Sequence, residues 1–61
     1  MRELKIIASS KKFVYAVEQQ TFITLKIPTQ VFQNGFELNE LCKIEINDSD
    51  FTKYILNEIP F

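Results

Sequence analysis

The sequence has no histidine and no tryptophan, and only one cysteine, one methionine, one glycine and two prolines. Without histidine, and with Cys42 as the only thiol, it lacks the donors of an ordinary structural zinc site and the base of a Ser-His or Cys-His nucleophile. A disulfide framework is excluded within one copy. No stretch approaches the ~20 apolar residues of a membrane-spanning helix. The apolar residues among positions 1–8 give way to Ser9-Ser10-Lys11-Lys12 too soon for a signal-peptide core. The expectation is a cytoplasmic, non-catalytic protein with no cofactor, no metal and no membrane. An excess of one charge sign is also missing: 7 basic and 8 acidic residues leave a formal net charge of −1. That balance offers no general footprint for a phosphate backbone, whose affinity comes mainly from Lys and Arg releasing counterions.

What is present argues for a folded chain. Apolar residues make up 46% and charged residues 25%, and six Phe and two Tyr can supply most of a small core. At 61 residues there is one domain, spanning 1–61, and a chain this short buries only about 60% of its unfolded surface. Heavy use of Ile, Lys, Phe and Asn points to an AT-rich source such as a low-GC bacterium or a phage.

Residues 4–8 read as a first strand with Leu4, Ile6 and Ala8 on one face. Residues 13–18 and 21–27 then pair as a hairpin, the second strand placing Ile23, Leu25 and Ile27 inward and Thr24 and Lys26 outward. Two registers compete. A two-residue loop at Gln19-Gln20 sets Val14 and Ala16 beside Ile23 and Leu25, whereas a three-residue loop at Glu18-Gln19-Gln20 turns Phe13, Tyr15 and Val17 into the core. The three-residue loop is preferred because it buries two aromatics, and because tight two-residue turns want Gly or Asn rather than Gln-Gln.

Pro28 ends that strand, and residues 28–35 read as a short helical or 3-10 turn stopped by Asn34-Gly35, with Val31 and Phe32 capping the core. Asn39-Glu40 is a tight turn before a last strand at 41–47, with Cys42, Ile44 and Ile46 inward and Lys43 and Glu45 outward. Asp48-Ser49-Asp50 opens a helix over about 49–59 whose stripe is Phe51, Tyr54, Ile55 and Ile59. The predicted class is mostly β with a C-terminal helix (α+β), in the order β-β-β-turn-β-α. Its strands lie within 3–47, as a small antiparallel barrel of SH3-like or OB-like type.

In this order, Tyr15-Ala16-Val17-Glu18, Ile27-Pro28, Asn34-Gly35 and the Asn39-Glu40 turn before residues 41–46 resemble a family of very short bacterial domains of unknown function. Asn39-Glu40 stands where that family prefers Gly-Asp, and Ala8-Ser9-Ser10 where it often has Asp-Arg. The resemblance implies a small β-barrel without known catalysis.

Cys42 shares a face with Ile44 and Ile46 and reads as a buried structural thiol. Asn47-Asp48-Ser49-Asp50 lacks the glycine and the terminal glutamate of a calcium loop and reads as a helix cap. The candidate functional surface is the outer face of the hairpin. In the preferred register Val14, Ala16 and Phe22 lie together outside the core, flanked by Thr24 and Lys26, and such a patch marks an interface. The expected function is a small protein-interaction module, such as an inhibitor or accessory subunit, binding a protein partner or a second copy of itself. The alternative is a single-stranded nucleic-acid-binding small β-barrel, suggested by Lys11 and Lys12 next to Phe13 and Tyr15.

Overall fold

The computed structural model describes residues 1–56. Four antiparallel strands, β1 (Arg2–Ser9), β2 (Phe13–Glu18), β3 (Thr24–Pro28) and β4 (Leu41–Ile44), form one sheet in the order β3-β2-β1-β4. A 3-10 helix (Thr29–Val31) follows β3, and helix α1 (Asp48–Tyr54) follows β4. The fold is thus mostly β with one C-terminal helix. The sheet is open: β3 and β4 lie at opposite edges and do not pair, so the expected barrel is not closed.

The strands form where β-branched and aromatic residues alternate with polar ones, and the punctuation falls where backbone chemistry requires it. Pro28 has no N–H to give the ladder and is the last residue of β3. Gly35 (φ +85°) and Asn39 (φ +66°) take up left-handed conformations that turn the chain back toward β1. There the Asn39 N–H donates to the Ile6 carbonyl at 2.7 Å, and the Ile6 N–H to the Glu40 carbonyl at 3.1 Å.

Leu4, Ile6, Val14, Ala16, Leu25, Ile27 and Phe32 form the core on one face of the sheet, here called inner. Phe51, Tyr54 and Ile55 pack against it, as do Cys42 and Ile44 of β4. At seven residues α1 is too short to persist alone and depends on this docking. Its N-cap is Asn47, one residue before the predicted acids, with Oδ1 accepting the Asp50 N–H at 2.7 Å. Arg2 stacks its guanidinium 4.0 Å from the centre of the Phe51 ring and bonds Asp48 at 2.9 Å, tying α1 to β1.

Three expectations are corrected. Ala8 does not share the face of Leu4 and Ile6, because a bulge between Ile6 and Ala8 shifts the register and sets Ala8 opposite Tyr15. The predicted strand at 41–47 stops at Ile44. The helix stops at Tyr54 because Ile55 turns extended and bridges Leu25, and the Leu56 N–H reaches the Thr24 carbonyl at 3.0 Å. An edge strand with unpaired carbonyls competes with one more helical turn, and the edge wins. Ile59 of the expected stripe lies outside the described residues.

Candidate functional site

The hairpin between β2 and β3 has neither of the expected loops. Val17 pairs with Thr24 and Ala16 with Leu25, and the Glu18 N–H donates to the Ile23 carbonyl at 2.9 Å, so the loop is residues 19–22. That even-length loop has the parity of the rejected two-residue turn. Val14 and Ala16, expected at the surface, are therefore fully buried, and Phe13, Tyr15 and Val17, expected in the core, face outward and are half-buried. Phe32 and the aromatic residues of α1 already fill the space over the inner face, so β2 contributes its smaller side chains there.

Glu18 builds the loop. It follows Val14 and Ala16 on the inner face and is only 1% exposed. Its carboxylate accepts the Gln20 N–H at 2.9 Å through Oε2, and the Thr21 N–H at 2.9 Å and the Thr21 hydroxyl at 2.8 Å through Oε1. Burial pushes its pKa up. The Gln20 N–H, the two Thr21 donors and the Arg2 charge outweigh that and hold it below the ordinary carboxylate value.

The hydrogen-bonded loop presents Phe22. Its N–H donates to the Glu18 carbonyl at 2.7 Å, its backbone is left-handed (φ +59°), and its side chain is 73% exposed. A bulky residue in that conformation is an outlier, since Cβ crowds the backbone by about 1–2 kcal/mol where glycine has no such cost. Thr24 and Lys26 lie on the outer face of β3, half-buried, as the alternation of the strand implies. Lys26 Nζ stands 4.5 Å over the Phe13 ring. The five residues expected to form one patch are thus divided: Val14 and Ala16 are core, Phe22 is at the loop tip, and Thr24 and Lys26 face outward.

Sequence reasoning missed Glu18 as the organising group, although a signal was present: a carboxylate followed at once by Gln20 and Thr21 donors at the end of an alternating strand. Cys42 faces inward as its alternation requires but is half-buried, because β4 is an edge. Thiol labelling of the native protein is expected to proceed measurably and to accelerate in denaturant; complete native protection would place β4 deeper than it stands. Among the described residues there is no group of three potential metal ligands, and no helix is long and apolar enough to cross a membrane.

No protein-family model matches the chain, and no curated protein or solved structure matches it either.

Proposed function

We propose that this chain is a small non-catalytic interaction module, a phage or low-GC bacterial inhibitor or accessory subunit, that engages a protein partner or a second copy of itself through the Phe22 loop. The observation that carries this reading is Phe22 itself: an exposed aromatic held in a left-handed backbone by a loop whose conformation a buried carboxylate fixes. Stability favours glycine at that position and solubility favours a polar residue, so a phenylalanine there is explained by what it touches. Aromatic side chains on pre-organised loops are the usual anchors of protein interfaces.

Phe22→Gly separates the two roles. It is expected to stabilise the isolated chain by about 1 kcal/mol, because the backbone strain is relieved and little buried surface is lost. It is also expected to weaken self-association or partner capture by about 2 kcal/mol, the scale of an aromatic hot spot. Thermal melts report the first effect; sedimentation and affinity capture from the source organism report the second. A variant that melts higher and assembles as before would remove Phe22 from the interface.

A further inference from the structure

The two edges of the sheet differ. The β3 edge is covered where Ile55 bridges Leu25 and the Leu56 N–H reaches the Thr24 carbonyl. The β4 edge is open. The Ile6 N–H donates to the Glu40 carbonyl, and β4 continues that ladder with Cys42 opposite Leu4 and Ile44 opposite Arg2. Main-chain groups in an antiparallel ladder turn alternately to the two sides, so those of Leu41, Lys43 and, by the same alternation, Glu45 turn away from β1. Among the described residues nothing meets them. The side chains alternate as well. Cys42, Ile44 and Ile46 pack toward the core but are only half-buried, while Lys43 and Glu45 are exposed. That alternation runs two residues past the end of β4, whose last partner on β1 is Arg2. Beside the inward row is a hollow of about 480 Å³, with Phe32, Gly35, Cys42 and Ile44 in its lining. A bare edge of this kind is a template for another strand.

We propose that the β4 edge pairs antiparallel with β4 of a second copy across a two-fold axis, joining two sheets into one. Charge selects both the occupant and the register. Backbone parity sets the odd-numbered residues of the two strands opposite one another. With Lys43 opposite the partner's Lys43, or Glu45 opposite the partner's Glu45, like charges meet and destabilise the pair. Leu41 opposite the partner's Lys43 uses only the start of the strand, because the chain turns away at Asn39. The remaining register sets Lys43 opposite the partner's Glu45, and the two-fold axis repeats that pair. It extends a row of alternating charge across the outer face: Glu3, Lys43 and the partner's Glu45. On the inner face Ile44 meets the partner's Ile44 on the axis, and the partner's Ile46 lies opposite Cys42, over the hollow. A lysine on an edge ordinarily keeps other strands away. Here Glu45, two residues on, supplies its counter-charge from a copy of the same chain. β1 separates this edge from the hairpin that carries Phe22, so the proposal is independent of the role of that loop.

Sedimentation equilibrium of the intact chain tests it. The mass is expected to rise with concentration from 7.2 kDa to twice that value. The dissociation constant is expected to be on the order of 10–100 µM, since an edge pairing lies at the small end of interface sizes. Glu45→Lys and Lys43→Glu are each expected to weaken the dimer by about tenfold or more, and an equimolar mixture of the two variants to restore it, because each then carries the charges the other needs. Ile44→Cys in a Cys42→Ser background is expected to form a disulfide-linked dimer under mild oxidation, while the wild-type chain does not. A chain that stays monomeric at about 1 mM overturns the proposal and gives the edge to a different strand. It is overturned as well by a Glu45→Lys variant that dimerises as before, or by oxidation that links the wild-type chain through Cys42 in preference to the Ile44→Cys variant. A dimer that Phe22→Gly abolishes and Glu45→Lys leaves intact would place self-association on the loop instead.

Discussion

Replacing Ile6 by alanine is expected to remove about half of the stability of the fold. Ile6 is fully buried on β1, the strand that pairs with both β2 and β4, and its own N–H and carbonyl anchor the returning Asn39-Glu40 turn. Removing three carbons there costs about 2–5 kcal/mol, because the lost transfer energy is joined by the cavity left behind. A chain of 61 residues has a total stability of roughly 3–9 kcal/mol, so the loss is a large fraction of the whole. Ile7→Ala is the matched control: Ile7 sits at the bulge, is 45% exposed, and is expected to cost no more than about 0.5 kcal/mol. Urea denaturation of both variants measures the contrast. Equal losses would mean that the bulge, and with it the inner and outer assignment of β1, is wrong.

Removing the Glu18 charge is expected to cost about 2–3 kcal/mol at neutral pH, because hydrogen bonds to a charged group are lost and loop donors are left without their acceptor. Glu18→Gln keeps the shape and one acceptor oxygen but sets an amide NH₂ toward N–H donors. The pH dependence gives the sharper result. The folded carboxyl titrates below its ordinary value of 4.5, so folding favours the charged form. That contribution is fully present above the unfolded value and is lost as the pH falls through the folded one. The stability gap between wild type and Glu18→Gln should therefore be constant from neutral pH down to about 4.5 and should narrow on further acidification. A gap independent of pH would show that the loop is held by packing rather than by the carboxylate.

Much of the order of this fold is legible in its residues. The end of β3 follows from Pro28, the 3-10 turn from the segment it opens, and the returns at Gly35 and Asn39 from residues that accept a left-handed backbone. The alternation of β4 correctly pairs Cys42 with Ile44 and sets Lys43 apart. The hairpin was not legible in the same way, because its loop length rests on a carboxylate folding back on its own donors. Counting loop residues between two plausible strands misses such a bond. The bulge in β1 and the end of α1 escaped for a related reason: each is settled by a neighbouring strand, β2 in one case and the β3 edge in the other.

By itself the sequence determined which side chains travel together. Period-two alternation holds Val14 with Ala16 and Phe13 with Tyr15 whatever else happens, and the absence of histidine and of a second cysteine closes off whole classes of chemistry. Only the tertiary structure decided which of those two rows faces the core. Alternation is symmetric between the faces of a strand, and the symmetry is broken by what arrives to cover one of them, here Phe32 and the residues of α1.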